Sequence, residues 1–403
     1  MDINRRLEIK LDEIAISLLN HKCDNTEIGA LTGISGNALF HFYYSRYRKD
    51  NLHAEKGAEI ITETFNRIQK GYTYPTFCDG IAGACFVLEL LKQEEFLDLE
   101  EDIITEEVDI YLLKEMKKFI SNNDFDFLHG AIGIGFYFLK RYENAKTIDL
   151  EKRYEQYLFI LIQAIKNQAI YKNNYVFWES EIVVGELRFN GSNLGLAHGI
   201  PNIIAVLSKL SKFPTFHEEV IDLLVPACNY ILSCKQKTNT LSSTFPNWIS
   251  RNVSNDYNSR LAWCYGDLGT CISILQAAML LKNKKLLDEV LQILKKTTNR
   301  LHIQEAGIID AGMCHGAYGV MHIYDQVFNL TKDLHYKKSA EFWADIALNL
   351  AVHKDGHAGY KAHYDSGWKL ENHVLQGISG IGLSIISHLN NHSYKWSELF
   401  LTI

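Results

Sequence analysis

The feature that most constrains this chain is a G-x-x-G turn that recurs seven times. It runs as Gly33-Ile34-Ser35-Gly36, Gly80-Ile81-Ala82-Gly83, Gly130-Ala131-Ile132-Gly133 and Gly199-Ile200-Pro201-Asn202. It continues as Gly266-Asp267-Leu268-Gly269, Gly316-Ala317-Tyr318-Gly319 and Gly377-Ile378-Ser379-Gly380. The fourth copy carries Asn202 where the others have a second glycine. The average spacing of about 57 residues is enough for two helices and their turns.

Each turn leads into an apolar stretch: Ala84–Leu91, Ile134–Leu139, Ile203–Leu210, Cys271–Leu281, Val320–Val327 and Ile381–Leu389. Stretches apolar on all sides belong to helices buried on all sides. Between them lie amphipathic segments, Asp102–Ile120, Lys152–Ile170, His217–Leu232 and Leu286–Leu301, suited to an outer layer. Only five prolines interrupt the chain, which favours long helices. The expected fold is all-α: a closed α/α toroid of seven inner and seven outer helices, one domain over residues 1–403. An open superhelical solenoid is the alternative.

The intervals are uneven, and the one from Gly130 to Gly199 is 69 residues. Between Gly130 and Gly199 lie Tyr175-Val176-Phe177-Trp178, Ile182-Val183-Val184 and Leu187-Arg188-Phe189, which read as short strands in an insertion at about 171–192. The segment His353–His373, with Gly356, Gly359 and Gly367, reads as a long polar loop.

The register of the turns carries chemistry. Immediately before the first glycine stand Thr32, Asp79, His129, His198, Tyr265, His315 and Gln376. One position earlier stand Leu31, Cys78, Leu128, Ala197, Cys264, Cys314 and Leu375. A toroid would gather these positions at one rim, beside the positive ends of the inner helices. Asp267 and Thr270 are natural caps for the helix after Cys264, whose position near a helix N-terminus favours a thiolate.

Cys264, Cys314 and His315 fall in matching turns of the fifth and sixth repeats and suit a three-ligand zinc site with one open position. The same residues also fit two buried thiols and a capping histidine. His198 has no adjacent thiol, which suits an acid or base, or a structural hydrogen-bonder. Asp126 either tunes that histidine or is a solvated loop acid. Arg260 either holds a substrate carbonyl or carboxylate or lies on the surface, and Tyr265 either donates a hydrogen bond or packs. Cys78, Asp79 and His129 share the register without an assigned role. Cys85 and Cys271 read as core, and Cys23, Cys228 and Cys234 carry no signal.

Composition sets outer limits. A net charge of −7 gives no basic face for nucleic acid. The N-terminus, MDINRRLEIKLDEIAISLLN, reads as an amphipathic helix rather than an export signal, and no apolar run is long enough to span a bilayer. Eight cysteines without an export signal point to reduced thiols and a cytoplasmic protein, with any membrane association made through partners. No phosphate-binding or dinucleotide glycine motif occurs.

Leu196-Ala197-His198-Gly199, Ser259-Arg260-Leu261-Ala262-Trp263-Cys264-Tyr265-Gly266 and Cys314-His315-Gly316 resemble the signature of lanthionine synthetase C-like proteins, over essentially the whole chain. They are most similar to the stand-alone cyclases of class I lantibiotic pathways. The resemblance implies an α/α toroid around a zinc ion held by Cys264, Cys314 and His315, with His198, Arg260, Tyr265 and Asp126 as the other active-site residues. It implies a reaction in which a precursor cysteine adds to dehydroalanine or dehydrobutyrine, giving a lanthionine or methyllanthionine thioether. Its partners would be a dehydrated precursor peptide, leader plus core, with a dehydratase and an exporter in a complex. Two rivals stand beside it: a related enzyme adding glutathione to dehydroamino acids, and a zinc-containing scaffold that only binds peptides.

Overall fold

The computed structural model describes residues 2–20, 25–98, 103–237 and 242–402. Met1, Cys23 and Asp102, which enter the sequence reading, lie outside them. The helices are α1 (Ile3–Asn20), α2 (Ile34–Arg48), α3 (Asn51–Gln69), α4 (Ile81–Gln93), α5 (Glu106–Ser121), α6 (Ala131–Glu143), α7 (Ile148–Gln168) and α8 (Ile200–Leu210). After them come α9 (Pro214–Ser233), α10 (Asp267–Leu280), α11 (Lys284–Thr297), the single turn α12 (Ile303–Ala306), α13 (Ala317–Thr331), α14 (Leu334–Asn349) and α15 (Ile378–Asn390). By contacts the chain divides into two compact units. The first is Met1–Asp109 with Ile308–Leu399, and the second is Ile110–Gly307 with Phe400–Ile403.

The seven helices that follow the glycine turns are α2, α4, α6, α8, α10, α13 and α15. They are buried almost throughout: every residue of α4 from Ile81 to Leu91 is buried, as is every residue of α6 from Ala131 to Tyr142. The alternating partners α1, α3, α5, α7, α9, α11 and α14 are buried along only part of their surface. In α11 only Leu286, Val290, Ile293, Leu294 and Thr297 are buried, one stripe at helical spacing on a lysine-rich helix. That helix ends at Thr297, short of the expected Leu301.

The turns explain their own glycines. Each buried helix begins with the first glycine as N-cap and receives no side-chain cap. In α2, α4, α6, α13 and α15 the leading N–H is met by a carbonyl of the preceding loop instead: Ile81 N donates to Tyr74 O at 2.9 Å, and Ala317 N to Asp310 O at 3.0 Å. The second glycine sits against the preceding backbone. A Cβ at Gly269 would lie 1.9 Å from the Trp263 oxygen, and one at Gly319 would lie 2.0 Å from the Met313 oxygen. Only glycine tolerates that approach without backbone movement. Asn202 replaces it in α8, fully buried, with neither Oδ1 nor Nδ2 partnered among the described residues.

The expectation that Asp267 and Thr270 cap α10 is corrected. Asp267 is buried and accepts the N–H groups of Thr244 (3.0 Å) and Phe245 (2.9 Å), with Arg300 at 3.4 Å. Thr270 donates to Leu194 O at 2.8 Å and Gly266 O at 3.0 Å. Both side chains instead fix a neighbouring loop to the helix start.

Main-chain hydrogen bonds also tie one turn to the next. In the first unit Cys314 N donates to Leu375 O (2.8 Å), Leu375 N to Leu31 O (2.9 Å) and Leu31 N to Cys78 O (3.1 Å). In the second, Ala197 N donates to Cys264 O at 3.3 Å. The Leu375–Leu31 bond joins the seventh repeat to the first, a contact that an open solenoid does not make.

The insertion holds β1 (Ile170–Lys172), β2 (Tyr175–Phe177), β3 (Ser180–Val184) and β4 (Leu187–Asn193). β1 pairs with β2, and a second sheet runs β3-β4-β5 with β5 (Trp248–Ile249) on the far side. The polar tail segment is not all loop: β6 (Ala362–Tyr364) and β7 (Gly367–Lys369) form a hairpin through Asp365-Ser366, with Gly367 opposite Tyr364 at φ of 105°.

Candidate active site

The second unit contains a cavity of about 670 Å³. Its walls come from the loop before α6 (Asp124, Asp126), the insertion (Trp178 to Val183), the first turn of α8 (Gly199, Ile200, Ile203), and His198 and Tyr265. Three residues singled out from sequence alone therefore meet at one cavity.

His198 and Asp126 form its polar centre. His198 Nδ1 lies 2.5 Å from Asp126 Oδ2, and the other carboxylate oxygen accepts His129 N–H at 2.8 Å. The carboxylate is thus held at both ends, and the imidazole is left to exchange protons through Nε2. Burial opposes charge on His198, but the Asp126 carboxylate, with smaller help from Cys264 and Asp124, outweighs it and holds the pKa above its ordinary 6.5. Burial likewise works against ionised Asp126, yet His198 and the His129 N–H keep its pKa below the usual carboxylate range. Asp124 is pushed upward, chiefly by burial.

Tyr265 is fixed by Asn193, whose Nδ2 donates to Tyr265 Oη at 2.8 Å while its Oδ1 accepts Gly195 N–H at 2.9 Å. The tyrosine and His198 rings lie 5.7 Å apart between centroids. Cys264, one residue earlier, is 7% exposed. Arg260 is exposed and does not line the cavity; its side chain runs against the backbone of Gly307, where a Cβ would meet Arg260 Cγ at 2.8 Å.

In the first unit Cys314 and His315 share one turn. Cys314 is 8% exposed. His315 Nε2 lies 3.7 Å from Asp310 Oδ2 and 3.4 Å from Gln376 Nε2. Asp310 is itself fixed by Gly312 N–H (3.0 Å) and His363 N–H (2.9 Å). A carboxylate at one ring nitrogen is the usual device for aiming a metal-binding imidazole. Among the described residues, Cys264 in the second unit and Cys314 and His315 in the first are of the kind able to hold a metal ion. So are Cys78 and Asp79 in the first and His129 in the second. All seven described cysteines are buried and free of disulfides.

The sequence profile described as "Lanthionine synthetase C-like protein" matches residues 25–401. The chain belongs to this family. Among solved structures it is similar to one named nisin cyclase, with a TM-score of 0.69 at 18% identity, covering 99% of this chain and 97% of that one. That likeness shows the fold, the α/α toroid expected from the repeat. A curated relative, glutathione S-transferase LANCL1 of Danio rerio, is 24% identical over 161 residues, 40% of this chain. The match spans only 36% of that relative's length.

This family member also uses positions that the sequence reading passed over. Six residues before the first glycine stand Asp124, Asn193 and Asp310 in the third, fourth and sixth turns. Each accepts the N–H two residues on, at 3.1, 2.9 and 3.0 Å. Asn193 holds Tyr265 and Asp310 stands beside His315, so this column supports the site. The signal was available as short polar side chains in one register.

Proposed function

We propose that this protein is a zinc-dependent peptide cyclase that forms lanthionine and methyllanthionine thioethers, adding precursor cysteine thiols to dehydroalanine or dehydrobutyrine. The observation that carries this reading is the His198–Asp126 pair in the wall of a 670 Å³ cavity of a lanthionine synthetase C-like chain. Cys264, Cys314 and His315 would hold the zinc; two thiols and an imidazole match its preferred donors. When bound, the metal would keep the substrate cysteine as a nucleophilic thiolate.

The remaining work falls to side chains. Adding sulfur to the β-carbon leaves an enolate that must take a proton at the α-carbon. His198 takes the thiol proton, Asp126 favours the charged imidazole that results, and Nε2 delivers the proton to the α-carbon, so the step is atom-neutral. The first turn of α8 faces the same cavity and presents its positive end to the enolate oxygen. Tyr265 is placed by Asn193 to orient the peptide. Arg260, solvent-exposed, is available to a carbonyl or carboxylate of the bound chain. The substrate would be a dehydrated precursor in the cytoplasm, received from a dehydratase and passed to an exporter. The name of the curated relative favours a second reading, glutathione addition.

A dehydrated precursor peptide incubated with the protein, with and without added glutathione, separates these readings. Ring closure removes free thiols without changing mass, and alkylation reports the thiols that remain. His198→Asn should slow closure by about 10²–10⁴-fold with the metal retained. A peptide that gains the mass of glutathione establishes the second reading. Tight binding with every thiol still alkylatable overturns catalysis altogether.

A further inference from the structure

Six consecutive residues, Trp178 to Val183, line the cavity. Successive strand side chains leave on opposite faces, and in β3 Ile182 is buried while Glu181 and Val183 are exposed. A cavity that touches both sets runs along the edge of the strand. β3 is an edge strand, paired only with β4 among the described residues.

The register says what that edge offers. The two-residue turn Gly185-Glu186 makes Val184↔Leu187 a hydrogen-bonded pair, and alternation extends this to Ile182↔Phe189 and Ser180↔Gly191. The N–H and C=O groups of Glu181 and Val183 therefore point away from β4, towards the open edge. The lining is also acidic: Asp124, Asp126, Glu179 and Glu181 contribute carboxylates, and neither lysine nor arginine lines the cavity. His198 offsets Asp126, and Arg188 approaches Glu181 at 3.0 Å from outside. Asp124 and Glu179 remain to attract a cation.

We infer that the peptide substrate binds as an added strand along β3, hydrogen-bonded to the main chain of Glu181 and Val183, with a basic side chain directed to Asp124 and Glu179. This rests on the peptide-cyclase reading above and names how that substrate is held beside His198. Backbone pairing accepts many sequences, while the acidic wall selects for positive charge close to the reacting residue.

The probe is a fluorescein-labelled peptide containing dehydroalanine and lysines, with serine in place of cysteine so that no ring closes. Fluorescence anisotropy reads its binding. Val183→Pro removes one outward N–H without touching the β3–β4 ladder and should weaken binding about tenfold. N-methylation of alternate peptide amides removes the same bonds from the other side and should cost the unmodified protein a similar factor, whatever Val183→Pro does to folding. Exchanging the lysines for glutamates should weaken binding, and Glu179→Lys should restore it. Unchanged affinity for the N-methylated peptide overturns the proposal. So does a concentration-dependent dimer that Val183→Pro abolishes, which would give the edge to a second copy of the chain. If the cysteine-containing peptide cyclises normally although N-methylation has no effect, the edge fails and the function stands. If the edge pattern holds but no ring ever closes, the edge stands and the function fails.

Discussion

Asp126→Asn isolates the charge that governs the proposed acid. Asparagine is nearly isosteric, and its Oδ1 can still accept the His129 N–H, so the loop should keep its shape. What disappears is the anionic partner 2.5 Å from His198 Nδ1. A hydrogen bond to a charged group contributes about 1.5–3 kcal/mol. The His198 side chain is 32% exposed, and solvent screening reduces this to about 1–2 kcal/mol. With that partner gone, the His198 pKa should fall towards or below its ordinary value. Proton NMR of the histidine Cε1–H resonances, assigned by loss of one signal in His198→Asn, measures that fall directly. Stability must agree with it. The raised His198 pKa gives stability that is full below 6.5 and lost as pH rises through the folded value; the lowered Asp126 pKa gives stability present above 3.8 and lost at lower pH. The stability advantage of the parent protein over the variant should therefore be flat between those values and shrink on the alkaline side, by the amount the NMR shift implies. Measuring both proteins at one metal loading cancels the metal's own field. An advantage that persists unchanged well above the His198 pKa, or a His198 that titrates identically in both proteins, would refute the assignment of its charge to Asp126.

Two further outcomes are expected. Purified protein should contain about one zinc per chain, and Cys264→Ala with Cys314→Ala should remove it; full occupancy by elemental analysis in that double variant would exclude these ligands. Asn202→Gly should raise the melting temperature, because relief of two unpartnered buried polar atoms, worth about 1–3 kcal/mol, exceeds the glycine penalty of about 0.5–1 kcal/mol. A lower melting temperature would mean that the Asn202 amide has a role the described residues do not reveal.

The repeat was legible because glycine has no substitute where a Cβ would lie within 2 Å of a carbonyl oxygen, as at Gly269 and Gly319. Helix ends were less legible. The loss of Leu301 from α11 and the displacement of Asp267 and Thr270 from capping depend on loops arriving from elsewhere in the chain. The pairing of Asp126 with His198 across 72 positions of sequence was legible only as one of two alternatives, because it depends on how the third and fourth turns stand in space. The open edge of β3 follows from a two-residue turn and five paired positions, a register that apolar alternation alone does not fix.

The column two residues before each first glycine shows why chemistry can be read from a structural repeat. Its lateral bonds, Cys314 to Leu375, Leu375 to Leu31 and Leu31 to Cys78, use only main-chain N–H and C=O groups. The backbone tie is thus the same whether the side chain is leucine or cysteine, and at Ala197 alanine serves as well. Leucine and alanine meet the packing demand at buried positions in this column: Leu31, Leu375 and Ala197 are 0%, 7% and 0% exposed. These main-chain bonds therefore do not themselves require cysteine at 78, 264 or 314, although the Cys78 thiol also lies 3.5 Å from Thr32 Oγ1. What a thiol offers over leucine is ligation and nucleophilicity. Replacing Cys264 or Cys314 with alanine should accordingly leave the turn hydrogen bonds intact, and hydrogen exchange at Ala197 and Leu375 should stay as slow as in the parent protein whenever the metal has been stripped from both. Faster exchange at those amides in the stripped variants would show that the sulfur atoms serve the fold after all.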